Sequence, residues 1–96
     1  MNIQAMMKQA QALQRDMMKI KEEIDKTEFI GESSLVKVTV MGTKEVKEVK
    51  INSEIEKDDI EMLEDMIMLA LNDAMKKVDK TTEQKMGKFG NIPGLF

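Results

Sequence analysis

The sequence predicts an α+β fold: a long N-terminal helix, a three-stranded antiparallel β-meander and a long C-terminal helix (α-β-β-β-α). Three observations lead to this order. Apolar residues recur every three or four positions over residues 2–25 and again over 58–86, which is the helical period. Apolar and polar residues alternate over residues 36–40, which is the strand period. Short links rich in glycine and serine separate the runs between the helices, as expected for hairpins.

The first helix carries an uninterrupted heptad seam. Its a and d positions are Ile3, Met6, Ala10, Leu13, Met17, Ile20 and Ile24. Such a narrow apolar line is suited to packing against another helix. At about 1.5 Å per residue the helix spans about 36 Å, whereas a 100-residue domain has a radius of gyration of about 13 Å. We therefore expect part of this helix to overhang the rest of the domain.

The sheet is predicted from three short runs. The first, residues 27–30, is expected to end at a turn formed by residues 31–34. In the second, Val36, Val38 and Val40 are expected to be buried, with Lys37 and Thr39 in water. A turn at Gly42 with positive φ leads to the third run, residues 45–51. There Val46 is out of phase with Val49, so we expect a β-bulge near residues 47–48.

The second helix is expected to begin with a capping box at residues 58–61 and to end near Met86, before Gly87. Its apolar stripe is too broad for one neighbour, and large apolar patches on small proteins mark interfaces. We therefore predict an obligate homodimer. The predicted interface residues are Met62, Met66, Leu69 and Ala70. We expect residues 1–90 to form a single domain and residues 91–96 a flexible C-terminal tail.

The composition argues against enzymatic function. The chain has no cysteine and no histidine, which removes the commonest nucleophile, general base and metal ligands. No phosphate-binding loop or catalytic motif is present. We expect no catalytic residues, no metal, no cofactor and no small-molecule substrate. No apolar run is long enough to span a membrane, so a cytoplasmic location is expected.

The charge is unevenly distributed. The net charge is −3, from 15 basic and 18 acidic residues. Seven of the acids and only one base, Lys57, lie within residues 52–65. The rest of the chain therefore has 14 bases and 11 acids, a net charge of +3. A mildly basic surface permits binding to a polyanion.

Six short segments stand out in the sequence: MKQAQ at residues 7–11, GES at 31–33, LVKVTVMG at 35–42, MLEDMI at 62–67, NDA at 72–74 and IPGLF at 92–96. Together they resemble the YbaB/EbfC family of bacterial nucleoid-associated proteins. The glycine-rich turn of the family is shortened here to residues 32–34. The resemblance implies a cytoplasmic, nucleoid-associated homodimer that binds DNA with a tweezer-like pair of protruding helices and influences gene expression.

Duplex DNA is the partner that we favour, bound mainly through phosphate contacts. The chain has a single arginine, Arg15, and no recognition-helix motif, so little reading of base sequence is expected. The candidate DNA-binding residues are Lys8, Arg15, Lys19 and Lys21 on the first helix and Lys76, Lys77 and Lys80 on the second.

An alternative function is a helix-mediated protein-interaction module or a prefoldin-like chaperone. Two helices flank a β-hairpin region in such subunits, and methionine-rich surfaces adapt to varied apolar partners. Prefoldin-like coiled coils need longer paired helices than this chain offers. The second helix is also too broadly apolar to serve only as a coil strand.

Overall fold

The computed structural model describes residues 2–89 and confirms the predicted α-β-β-β-α order. Its elements are α1 (Ile3–Asp25), β1 (Glu28–Ser33), β2 (Val36–Met41), β3 (Val46–Ile51) and α2 (Ile60–Met86). Short 3-10 turns, Lys57–Asp59 and Gly87–Phe89, flank α2. The strands form one antiparallel sheet in the order β1-β2-β3. Gly90 and the predicted tail, residues 91–96, lie outside the described residues.

The main core lies between α2 and one face of the sheet. Val36, Val38 and Val40 of the central strand are buried, as their alternation predicts. They share a cluster with Phe29 of β1 and with α2 residues that recur every four positions, namely Met66, Ala70, Ala74 and Val78. The small side chains of Ala70 and Ala74 bring α2 close to the sheet.

Gly31 marks a close approach between α2 and the sheet. The turn predicted at residues 31–34 is placed too early, because β1 continues through Gly31 to Ser33. A β-carbon at Gly31 would overlap the carbonyl oxygen of Ala70 and lie 2.9 Å from the β-carbon of Ala74. The chain turns instead at Ser34, whose φ is 50°. Gly31 therefore allows α2 to pack tightly on β1 and does not end the strand.

Gly42 also allows a close approach. The predicted positive φ belongs to Lys44 (72°) and not to Gly42. A β-carbon at Gly42 would overlap the carbonyl oxygen of Ile24 and lie 2.9 Å from its Cγ2 atom. The amide of Gly42 donates to the carbonyl of Thr27, at 3.0 Å. The β2–β3 turn is thereby held against the end of α1.

The third strand lies at one edge of the sheet and contains the predicted bulge. Val46 is opposite Val40 and Glu48 is opposite Thr39, so Lys47 is the extra residue. The bulge returns Val46 to the face that carries Val49 and Ile51. These three side chains are nonetheless 39–46% exposed, because α2 lies over β1 and β2. One apolar strip of the sheet is thus left partly exposed beyond the cover of α2.

The opposite face of the sheet differs from the prediction at Thr39, which is buried. Lys47 of β3 donates a hydrogen bond to the carboxylate of Glu28 on β1, and β2 lies between these strands. The hydrogen bond and charge of Glu28 raise the pKa of Lys47 above its ordinary value of 10.5. This ion pair crosses the central strand and shields Thr39 from solvent.

The second helix begins without the predicted capping box. Residues Lys57–Asp59 form a 3-10 turn, and Asp59, at the N-cap position, makes no side-chain capping bond. The acidic residues still interact favourably with the positive end of the helix dipole. The prediction that the helix ends before Gly87 is confirmed.

A second, smaller core joins α1 to the end of α2. It contains Met17, Ile24, Met86 and Phe89, with Ile20 packed against them. Every residue from Asn2 to Asp16 is exposed. The chain is 71 Å long and only 19 by 15 Å across, so the predicted overhang is confirmed. We refer to residues 3–16 as the arm.

Candidate nucleic-acid interface

The arm is a regular helix that the sequence caps at its start. The side chain of Asn2 accepts hydrogen bonds from the backbone amides of Gln4, at 3.0 Å, and Ala5, at 3.4 Å. Two of the amides that a helix leaves unpaired at its N-terminus are thereby satisfied. No acidic residue precedes Asp16 in the sequence, so the arm carries net positive charge over most of its length.

Three basic residues form one stripe along α1. At about 100° of rotation per residue, Lys8, Arg15 and Lys19 lie within about 40° of one another around the helix axis. The stripe is about 170° from the centre of the heptad seam and spans about 16 Å along the axis. All three side chains are exposed, and none forms an ion pair with another described residue. Their positive charges therefore face solvent without internal neutralisation.

Lys21 does not belong to this stripe. It lies about 140° from the stripe's centre around the helix axis, and its ammonium pairs with Asp25 at 3.0 Å. The structure thus brings together three of the four α1 candidates and places Lys21 on another side of the helix.

The three candidate lysines of α2 also differ in their surroundings. Lys76 and Lys80 are exposed and form no ion pair within residues 2–89. Lys77 donates to the carbonyl oxygen of Ile30 at 2.7 Å and pairs with Asp73 at 3.2 Å. Its ammonium is therefore engaged at the edge of the sheet.

Asp73 and Lys77 together close the free edge of β1, an arrangement that sequence reasoning missed. Asp73 accepts a hydrogen bond from the backbone amide of Glu32 at 3.2 Å. This bond and the neighbouring Lys77 lower the pKa of Asp73 below its ordinary value of 3.8. Unpaired strand edges invite association with other chains, and the two side chains of α2 occupy backbone groups of this edge. The NDA segment at residues 72–74 was the only sequence signal.

The four predicted interface residues fall into two environments. Met62 and Leu69 are 57% and 56% exposed. Met66 and Ala70 are buried against the sheet of the same chain. Asp73 contacts β1, and Leu69 lies within about 40° of Asp73 around the α2 axis, so Leu69 is on the β1 side of the helix. Leu71 is about 160° from Asp73 and lies on the other side. We call the surface of Met62 and Leu69 the outer flank of α2.

The described residues contain no group of three or more acidic, histidine or cysteine side chains suited to a metal ion. Within the same part of the chain, no helix is long and apolar enough to cross a bilayer. The acidic segment, residues 54–65, lies at the start of α2, and the basic stripe lies on α1 at the far side of the smaller core. The most acidic segment and the basic stripe are thus separated along the molecule.

These features define a class: a small α+β protein that presents a basic helical arm beside a single sheet. A family model described as the YbaB/EbfC DNA-binding family matches residues 1–92. The chain belongs to this family. Because the family is described by DNA binding and not by a reaction, the comparison agrees with the prediction that the chain is not an enzyme.

Curated relatives are similar along nearly their whole length. A nucleoid-associated protein of Ligilactobacillus salivarius is 44% identical over 99 residues, covering 99% of this chain and 95% of the relative. One of Lactococcus lactis subsp. cremoris is 48% identical over 92 residues, covering 93% of each chain. One of Enterococcus faecalis is 40% identical, covering 98% of this chain and 94% of the relative.

Proposed function

We propose that this protein binds duplex DNA as a homodimer, mainly through phosphate contacts made by the basic stripe of α1. The carrying observation is that Lys8, Arg15 and Lys19 share one face of an exposed helix and lack internal ion partners. The family description and the names of the relatives support DNA as the partner. Association with the nucleoid in the cytoplasm and an influence on gene expression follow from the same proposal.

Phosphate contacts are favoured over base reading by the residue types in the stripe. Two of its three members are lysines, which act as point charges on phosphate oxygens. Arg15 offers one bidentate group per protomer, whereas base-specific proteins aim several side chains at base edges. Lys76 and Lys80 are secondary contacts, and Lys21 and Lys77 contribute less because each is already paired.

The test is a charge reversal of the stripe, Arg15→Glu with Lys19→Glu. A dimer with three phosphate contacts per protomer should show a log–log salt slope of about −5, from about −0.9 per contact. The double variant loses four contacts per dimer, so the slope should fall in magnitude by about 3.6. Binding is measured by fluorescence anisotropy on a short duplex across a salt series.

The matched control is Lys50→Glu with Lys57→Glu. It changes the net charge equally but lies on β3 and in the acidic segment, away from the arm. Lys50 is opposite Lys37, on the face away from the exposed valines of β3, so the apolar surface is unchanged. Equal loss of affinity in both variants would assign binding to overall charge and would contradict the stripe.

The dimer is proposed from two partly exposed apolar surfaces among the described residues. One is the β3 strip of Val46, Val49 and Ile51, and the other is the outer flank of α2. In a two-fold dimer the outer flank of each protomer covers the β3 strip of the other, since an isologous interface repeats every contact twice. Met66 and Ala70 support this flank from inside the protomer.

Reversing the polarity of the strip tests the dimer. Val49→Lys should leave the protomer folded, because residue 49 contributes no buried side chain, yet it should shift the protein from dimer to monomer in analytical ultracentrifugation. Lys50→Gln, on the opposite face of the same strand, is the control and should remain dimeric. A Val49→Lys protein that stays dimeric at low micromolar concentration would place the interface elsewhere.

The chaperone alternative rests on the exposed part of the heptad seam, which offers apolar side chains to a client. The two functions depend on different faces of the arm. Charge reversal of Arg15 and Lys19 should abolish DNA retention but leave any suppression of client aggregation intact. Strong suppression by the wild type with no DNA retention at moderate salt would favour the chaperone.

A further inference from the structure

The exposed part of the α1 seam has a length and a flank composition of its own. Ile3, Met6, Ala10 and Leu13 are exposed, whereas Met17 is covered by Met86 and Phe89 of the same chain. The open seam therefore runs from residue 3 to residue 13, about 15 Å along the helix. A seam with a and d spacing is complementary to a second helix with the same spacing.

We propose that residues 3–13 of the arm pack antiparallel against the same residues of a second copy of this chain, and that the paired arms hold a DNA duplex on each outer side. The second half of this inference rests on the proposed DNA binding by the basic stripe. The first half concerns the seam alone.

The proposed antiparallel register uses the whole open seam and stops short of its covered part. Placing Ile3 opposite Leu13 of the second copy also places Met6 opposite Ala10, a large side chain against a small one. Asn2 of the second copy then lies opposite Gln14, short of Met17 and its contacts with the end of α2. A register shifted further along α1 would displace Met86 and Phe89. In this register the open seam of one copy, residues 3–13, is covered over its whole length by the open seam of the other copy.

The flanks of the seam permit pairing between identical helices. The positions that border it over residues 3–14 are Met7, Gln9 and Gln14, and none of them is charged. Flanking charges in coiled coils select or exclude partners, so this segment presents no like-charge repulsion to its own copy. The overlap is short, and isolated short helices associate weakly.

The pairing fixes where the basic stripes point. Lys8 and Arg15 occupy the f position of the heptad, on the side of the helix away from the partner. In a pair of helices packed about 8–10 Å apart, each stripe faces outward on its own side. Two stripes on opposite sides of one helix pair allow two separate duplexes to be bound and bridged.

Cross-linking between cysteines tests the register, because the natural chain contains none. Met6→Cys and Ala10→Cys proteins are mixed and oxidised, and disulfides form only between Cα atoms within about 7 Å. The mixed Met6→Cys–Ala10→Cys product should exceed either homodisulfide by about tenfold, equivalent to about 1.4 kcal/mol. Predominance of the Met6→Cys homodisulfide would indicate a parallel pair and overturn the inference, as would the absence of any cross-link.

Bridging is measured by capture of a labelled duplex on an immobilised unlabelled duplex of different sequence. Wild-type protein should retain the labelled duplex, and Leu13→Glu should lose it while still binding one duplex in anisotropy. Met18→Glu is the matched control, since Met18 is exposed on α1 next to the arm but lies outside the seam. Undiminished bridging by Leu13→Glu overturns the arm pairing. If the wild type fails to bind a single duplex, the proposed function is refuted. The cross-linked product then still shows whether the arms pair.

Discussion

Replacing Gly31 by alanine should destabilise the protein more than an ordinary substitution on its surface, which changes stability by about 0.5 kcal/mol or less. The added β-carbon would overlap the carbonyl oxygen of Ala70 and lie 2.5 Å from the amide nitrogen of Ala74. These are backbone atoms of α2, so no side-chain rotation relieves the overlap. The 2.9 Å approach to the β-carbon of Ala74 alone requires opening by about 0.6 Å to reach ordinary contact.

The magnitude follows from two opposing effects. Overpacking of a well-filled core costs about 1–3 kcal/mol, and a rigid backbone obstacle belongs at the upper end. The substitution also reduces the conformational entropy of the unfolded chain, which raises the free energy of unfolding by about 0.4–1 kcal/mol. We expect the free energy of unfolding to fall by at least about 2 kcal/mol, and the Tm by at least about 8 °C, at about 4–8 °C per kcal/mol for a chain of this size.

The assay is thermal unfolding followed by circular dichroism at one fixed protein concentration, because the stability of a dimer depends on concentration. Gly87→Ala is the matched control. Its β-carbon would meet no heavy atom within 4 Å, and its φ of −59° is helical, so its Tm should equal or exceed that of the wild type. A Gly31→Ala protein with an unchanged Tm would refute the close approach between α2 and β1.

Two further changes test other contacts in the fold. Gly42→Ala should also lower the Tm by several degrees, because its β-carbon would overlap the carbonyl of Ile24. The control is Thr43→Ser, which keeps the hydroxyl that accepts from the amide of Glu45, and equal melting of the two variants would contradict the contact. Asp73→Asn should lower stability at pH 7, and its difference from the wild type should shrink progressively once the pH falls below 3.8, the ordinary aspartate pKa. The folded-state pKa of Asp73 is depressed, so the stability it contributes is present above the unfolded value and is lost as the pH falls through the folded value. Urea melts of both proteins across pH 3–7 measure this, and a constant difference at all pH values would contradict it.

The elements that the sequence predicts well are those whose signal is local and periodic. The valines of β2 and the heptad seam of α1 lie where their periods place them, and even the bulge at Lys47 follows from one residue out of phase. Hydrophobic period and side-chain direction are properties of short segments, which explains this success.

The two glycines depart from their predicted roles because the reason for each is tertiary. Glycine is common both at turns and where two backbones touch, and only the position of α2 or of Ile24 distinguishes these roles. Ser34 and Lys44, which take the positive φ values, carry no strong sequence signal for them. The burial of Thr39 depends on an ion pair between strands that are not neighbours in the sheet, which no local pattern contains.

The candidate site is predictable from the sequence in the same uneven way. Helical spacing places Lys8, Arg15 and Lys19 together, and their grouping is visible in the sequence. The engagement of Lys77 by Asp73 and by the backbone of β1 depends on how α2 lies across the sheet. Likewise, burial of Ala70 and Met66 can be recognised as core packing only once the sheet is placed beneath them.

The exposure of the arm has an energetic consequence. Its 14 residues, 3–16, contact no other element through a buried side chain, and a helix of that length is marginally stable by itself in water. The arm is therefore subject to a helix–coil equilibrium of its own, anchored at Met17 and limited by the cap at Asn2. For any ligand that binds only the helical arm, the free energy of forming the helix reduces the binding free energy. Substitutions that alter only helix propensity will then change affinity while every side chain that touches the ligand stays in place.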